Sequence, residues 1–295
     1  MPNFVRELTR TLQAGTAPRL DIRSLNGKVK VTGEDRGDVL VRATVSGRAE
    51  FEADLDRLVA AFEDGIRADG DRVLVHEPDE DRGSVFGAFR GGFRFHRRLA
   101  IDIEVLAPRG CSLSLHHVNG PVDLREIGGD VGVQMVNGRF EVVDAGGDID
   151  FRHVNGHGLL RNVAGAIDMH YTNGHLEIER ASGNINLHLV NGRVDITEVG
   201  GSLSVKGVSG AYSYRGPVRG DISMANAHGR ITLDLPSDSR FKLDARSLLG
   251  AVTSELDVRE AGGGRSSGDA PQVSLRSETG RIELRQLRQA EPVGG

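Results

Sequence analysis

In three stretches of this 295-residue chain, residues 149–153, 167–171 and 185–189, an acid or amide is followed two places later by a base: Asp150 and Arg152, Asp168 and His170, Asn186 and His188. A carboxylate beside an imidazole can exchange a proton with a bound glycan, the chemistry of a polysaccharide lyase or hydrolase. Imidazoles also bind metals, and His170 and His188 stand eighteen residues apart, as do His157 and His175. Either pair could share a zinc ion. Zinc needs at least three protein donors, however, and neither pair has a third at an obvious spacing, so no metal site is assigned. There is no Ser-His-Asp order, phosphate-binding loop or dinucleotide fingerprint, and no cofactor is expected.

The residues that must position these groups form a repeat. Glycine recurs every nine residues from Gly120 to Gly210. The residue two places after each glycine is apolar in ten of eleven units, Gly158 being the exception, and the residue four places after is apolar in all eleven. The places between are mostly polar, so each unit reads as a short strand with one face buried and one wet. Asn119, Asn137, Asn155, Asn173 and Asn191 precede Gly120, Gly138, Gly156, Gly174 and Gly192, whereas Gly128, Gly146, Ala164, Ser182 and Gly200 precede the alternate glycines. The period is therefore eighteen residues, two strands and two corners.

An isolated Asn-Gly signals a hairpin. A unit this short cannot bury its own apolar stripe, though, and stacking copies of it does. The spacing thus predicts an all-β, right-handed parallel β-solenoid (β-helix) with 18-residue rungs. Its Asn corners would stack into a hydrogen-bonded amide ladder, about 4.8 Å per step. The calcium-binding nonapeptide roll also repeats every nine residues, but Val131 and Ile149 stand where it needs a third glycine. The step at Gly158 and Leu159, where an inward side chain is missing and an acid column is interrupted, predicts a bulge.

On the wet face, Asp150, Asp168, Asn186 and Ser204 would form one column beside Arg152, His170, His188 and Lys206. Such alternation is also what a solvated sheet needs to keep like charges from stacking, and this structural reading outweighs the catalytic one.

Outside the ladder, Phe51, Leu55, Leu58, Val59 and Phe62 fall on one helical stripe and predict a capping helix over 51–62. Phe4, Val5, Leu8 and Leu12 predict a second small helix in the first dozen residues, a cap or a membrane-surface segment. Residues 260–271 have the composition of a flexible loop. Residues 83–100 combine Phe86, Phe89, Phe93 and Phe95 with Arg90, Arg94, Arg97 and Arg98 and hold no acid. Phe89, Arg90, Phe93, Arg94, Arg97 and Arg98 could hold a partner, an anionic membrane or a nucleic acid, or the rings could simply cover the first rung.

The net charge of -5 gives nucleic acid no long-range attraction. Cys111 is the single cysteine, so no intramolecular disulfide forms. No apolar run reaches the roughly 18 residues of a membrane span and the N-terminus lacks a signal-peptide core, which predicts a cytoplasmic protein with scope for peripheral membrane association.

The stretches "LDIRSLNGKVKVTG", "DRVLVHE", "LAIDIEVLAPRGCSLSLHHVNGPVDL", the glycine ladder and "ETGRIELRQL" together resemble the bacterial putative adhesin-like β-strand-repeat family, domain of unknown function 4097, over most of residues 18–287. That resemblance implies a β-helical fold with no established activity, often in proteins linked to the cell envelope.

The chain is expected to comprise an amphipathic segment (1–15), an N-terminal region with strands, the helix and the Phe/Arg loop (16–110), and the solenoid proper (111–290). The function expected is a non-catalytic interaction or scaffold module binding a protein or envelope component, with end-to-end or side-by-side self-association also open. The alternatives are a carbohydrate-active enzyme using the Asp/His columns, and membrane or nucleic-acid binding through the Phe/Arg loop.

Overall fold

The computed structural model describes residues 3–48, 52–78, 99–256 and 270–287. They form nineteen strands and one helix, in two compact units, Met1–Gly147 and Asp148–Gly295.

The first unit runs β1 (Asn3–Gln13), β2 (Arg19–Asn26), β3 (Val29–Glu34), β4 (Asp38–Arg48), α1 (Glu52–Asp64), β5 (Ile66–Asp69), β6 (Arg72–His76), β7 (Leu99–Pro108), β8 (Ser112–Asn119), β9 (Val122–Arg125) and β10 (Val131–Ala145). Leu20 of β2 pairs in parallel with both Val73 of β6 and Leu113 of β8. Val29 of β3 lies between Ile103 of β7 and Val122 of β9. The first coil in the chain is therefore not the outermost, because a later excursion lays β6 and β7 over it. Beyond them the sheet turns antiparallel: β5 on β6, β4 on β7, and β1 on β4. Coils β8 and β9 pair with the two halves of β10 at an offset of eighteen residues, Leu113 beside Val131 and Val122 beside Phe140.

Asn3–Gln13 is thus a strand, where a helix was expected in the first dozen residues. A spacing of four, as between Phe4, Leu8 and Leu12, satisfies a helix but is also a multiple of the strand period. The β-branched Thr9 and Thr11, together with eleven pairings to β4, settle it as a strand. Helix α1 forms where the apolar stripe predicts one, with Leu55, Leu58 and Phe62 buried against β1 and β5. Arg6 and Arg10 of β1 pair with its Asp56 and Glu63 at 2.9 and 2.8 Å. The second pair offsets an acid at the helix C-terminus, where the helix dipole disfavours it.

The second unit runs β11 (Ile149–Val163), β12 (Ile167–Ala181), β13 (Ile185–Val199), β14 (Leu203–Arg215), β15 (Ile222–Leu235), β16 (Lys242–Ser247), β17 (Val252–Ser254), β18 (Gln272–Ser277) and β19 (Arg281–Gln286). From β11 to β14 each residue pairs in parallel with the one eighteen places on, Ile149 with Ile167 and Ile185 with Leu203. The step to β15 is nineteen, Leu203 with Ile222. Beyond β15 the chain again leaves sequence order. β18 and β19 pair with β15 on one side and with β16 and β17 on the other. On the side of β12 the pairing runs without the predicted bulge, Gly158 beside Leu176 and Leu159 beside Glu177, and Gly158 leaves a gap in an inward column.

Inside, Ile149, Ile167, Ile185, Leu203 and Ile222 form one buried column, and Phe151, Met169, Leu187, Val205 and Met224 the next. Each such side chain stabilises the fold by about 1.5–3 kcal/mol before chain entropy is subtracted. Each of β10 to β13 bends at its Asn-Gly, dividing an upstream half from a downstream half. At this bend the glycine is left-handed, as Gly174 is with φ 141°, and a Cβ there would lie 1.9 Å from the Gly156 carbonyl oxygen. The other corner works differently. Its left-handed residue is not the ladder glycine but a side-chain-bearing residue three places before it: Glu126, Asp144, Asn162, Arg180 and Glu198, all with φ of 55–58°. The ladder glycine there is needed for proximity, since a Cβ on Gly183 would stand 2.2 Å from the Gly165 carbonyl oxygen.

Candidate functional site

The in-register stacking of β11 to β14 puts every outward residue of an upstream half beside its counterpart. Asp150 lies next to Asp168 and Arg152 next to His170. Asp168 lies next to Asn186, His170 next to His188, and His188 next to Lys206. The five residues Asp150, Arg152, Asp168, His170 and His188 therefore share one face.

Within it, Asp150 and Arg152 approach to 3.7 Å with both side chains more than 60% exposed. The His170 and His188 rings are stacked, with centroids 4.9 Å apart and planes 10° from parallel. Asp168 Oδ1 is 3.7 Å from His170 Nε2, and its Oδ2 accepts a 3.3 Å hydrogen bond from the Asn186 amide. A donor atom from each of Asp168, His170 and His188 lies within 4.8 Å of the other two. The third donor that spacing alone did not show is thus Asp168. It sits on the same strand face two residues before His170, and the alternation of side chains across a strand is the signal that could have found it. His188 Nδ1 is buried without a hydrogen-bond partner among the described residues.

The downstream face is built otherwise. Asp195 accepts hydrogen bonds from Arg193 at 2.6 Å and Ser213 at 2.6 Å, and lies 2.7 Å from His175 Nε2. Burial works against its ionisation, but these three partners together hold its carboxyl below the usual carboxylate range. Arg161 pairs with Glu179 at 2.7 Å, and in the first unit Arg125 bridges Asp123 and Glu141 at 2.7 and 3.1 Å. The second histidine pair, His157 and His175, meets edge to face at 5.0 Å, with His175 already engaged by Asp195 and Glu177.

At the Asn-Gly bends the side-chain amides form a ladder: Asn119 donates to Asn26 and Asn137 to Asn119, each at 3.0 Å. In the second unit Asn173 donates to Asn155 at 3.0 Å and Asn191 to Asn173 at 3.2 Å. Gly120, Gly138, Gly156, Gly174 and Gly192 follow these residues, all with positive φ. Phe89, Arg90, Phe93, Arg94, Arg97 and Arg98 lie outside the described residues.

One cluster had no signature in the sequence. Asp21 is buried and joins Arg72, His76 at 3.0 Å and Arg23 at 3.5 Å, beside a 550 Å³ hollow lined by Arg19, Ser112, Ser114 and Asp130. Burial opposes the charge on Asp21, yet His76 and Arg72 keep its pKa below the ordinary value. Its partners Arg72 and His76 belong to a strand outside the glycine ladder, so no periodicity links them to Asp21.

Stacked parallel coils with in-register columns define a β-solenoid-like repeat protein. More particularly, the chain belongs to the Toastrack DUF4097 family, whose model matches residues 18–285. No curated protein matches it. Among solved structures it is similar to a putative cell adhesion protein from Clostridium sporogenes, at 11% identity and TM-score 0.27, covering 96% of this chain and 100% of that one. It is also similar to a putative adhesin from Bacteroides fragilis, at 14% identity and TM-score 0.29, covering 95% and 97%. A putative lipid binding protein from Parabacteroides distasonis matches at 10% identity and TM-score 0.30, covering 94% and 96%. No helix among the described residues is long and apolar enough to cross a membrane.

Proposed function

We propose that this chain is a non-catalytic interaction or scaffold module, coiled right-handedly as parallel crossovers generally are, with the upstream face of its second unit as the docking surface for a protein or other envelope component. The observation that carries this reading is the difference in how the two faces use their polar groups. Downstream, acids and bases are consumed by one another. Upstream, Asp150, Arg152, Asp168 and His170 stand more than half exposed, their polar contacts among the described residues being 3.3 Å or longer, so a partner can engage them without breaking an existing network. A flat polar sheet with repeated columns suits a surface that recognises an extended polymer or a second sheet.

The test places a photo-crosslinking residue at Ser204 on the upstream face or at Thr197 on the downstream face, in the intact chain in its native cell. Adducts to one recurrent species from Ser204 and not from Thr197 are expected. Equal yields from the two positions would overturn the assignment of the face. Turnover of a polyuronate or glycan panel that disappears in His170→Ala would overturn the non-catalytic reading in favour of a carbohydrate-active enzyme.

A further inference from the structure

We infer that Asp168, His170 and His188 form a binding site for a divalent transition metal of the zinc class, clipping β12 to β13. Two imidazoles and one carboxylate are a donor set that zinc, cobalt, nickel and copper favour, whereas magnesium and calcium prefer oxygen alone. The three donors come from adjacent strands in register, with His170 paired to His188. The near-parallel rings, 10° apart, keep the two imidazoles in step.

Donor atoms lying within 4.8 Å of one another need to close to about 3.3 Å for a tetrahedral ion with bonds of about 2.0–2.1 Å. Side-chain rotation supplies that movement, because Asp168 and His170 are 54% and 57% exposed. The Asn186 amide, already donating to Asp168 Oδ2, would steady the carboxylate from outside as second partners of metal ligands do. Three protein donors leave the remaining coordination position open to solvent.

The other histidine pair makes the contrast. His175 is spoken for by Asp195 at 2.7 Å and Glu177 at 3.5 Å, so recruiting it would break an ion-pair network. At Asp168 no comparable bond is lost. The charged and polar groups facing the site are Asp150 with Arg152, which neutralise each other at 3.7 Å, Asn186, Ser204, and Lys206 beside His188. Of these Lys206 and Arg152, the latter partly offset by Asp150, oppose a cation.

Tag-free protein titrated calorimetrically with zinc chloride at neutral pH, with cobalt(II) chloride and its visible absorption as a second probe, tests the site. One equivalent of metal should bind. Asp168→Asn, His170→Gln and His188→Gln should each weaken it by about tenfold or more, with unchanged thermal unfolding of the metal-free protein. His175→Gln should leave the affinity unchanged. The inference is overturned if the intact chain takes up no zinc, if His175→Gln costs as much as His170→Gln, or if the triple variant still binds one equivalent.

Discussion

The upstream and downstream faces of the second unit are made by the same strands, with the same register and the same apolar interior, yet they spend their charges differently. Downstream, Asp195 takes hydrogen bonds from Arg193 and Ser213 and lies against His175. Upstream, Asp168 has one weak amide contact and an imidazole at 3.7 Å. In a repeat fold the backbone is already specified by corners and core, so outward columns are free to vary. One face has been given over to neutralising itself, and the other has kept its donors accessible. The comparison yields a ranking: substitutions in the frame common to both faces should cost most, those in the downstream network less, and those on the upstream face least.

The largest effect is expected at a corner that both faces need. Gly183→Ala drives a Cβ to 2.2 Å from the Gly165 carbonyl oxygen, and the atoms it meets are backbone, with no flexible side chain to move aside. We expect a loss of about 3–5 kcal/mol in urea unfolding, or no soluble product. A loss below about 1 kcal/mol would show that the coils are not stacked as tightly as the pairing requires.

Next comes a buried group that lies between the faces. His153 is 2% exposed, its ring 5.0 Å from Tyr171 and 6.1 Å from Phe151, and burial pushes its pKa down to about 4. The folded chain therefore holds the ring neutral while the unfolded chain takes up a proton from about pH 6.5 downward. Its contribution to stability is whole above about pH 6.5, is lost as pH falls from there to about 4, and is flat below, a total of roughly 3 kcal/mol. His117 in the first unit shifts in the same direction by burial. Glu77 runs the opposite way: burial raises it to about 6, so its contribution is present below the ordinary glutamate pKa and lost as pH rises through about 6. The difference between the intact chain and His153→Phe isolates the single ring. Parallel stability curves for the two across pH 4–7 would sink the assignment.

How far this frame could be read in advance depended on repetition. The nine-residue glycine rhythm, the inward apolar places and the Asn bends recur often enough to be seen, and in the structure they fall in β8 to β14. Order at the ends was not legible, because nothing local in β6 or in β18 says that it will slide in beside β2 or β15 and not after its neighbour in sequence. The five left-handed residues at the second corner were hidden for a different reason. Glu126, Asp144, Asn162, Arg180 and Glu198 share a conformation and no chemistry. The Asp/His columns followed from the period, but which of their members hold each other depends on side-chain distances that a period does not contain. Thus Asp195 and Asp168 looked alike in sequence and are unlike in space.

A direct contrast of the two carboxylates sharpens this. Asp195→Asn leaves Arg193 and His175 without their anionic partner and is expected to cost about 1–2 kcal/mol at neutral pH. Because the Asp195 pKa is lowered, that contribution should persist down to about pH 4 and fade only below it, the acid side of the His153 transition. Asn173→Ala removes one amide that donates to Asn155 and accepts from Asn191. Both bonds are exposed, and the expected cost is about 1 kcal/mol.

The smallest effect is the most informative about function. Asp168→Asn gives up a 3.7 Å approach to His170 between two side chains that are each more than half exposed, and it removes one of two carboxylates stacked side by side with Asp150. Loss of an exposed attraction and relief of a like-charge neighbour are each worth a few tenths of a kcal/mol and have opposite signs, so metal-free stability should stay within about 0.5 kcal/mol of the parent. A residue that the fold can spare by this measure is left free to serve something outside the chain. If Asp168→Asn instead cost as much as Asp195→Asn, the two faces would be equally structural, and the upstream columns would lose their claim to be the site.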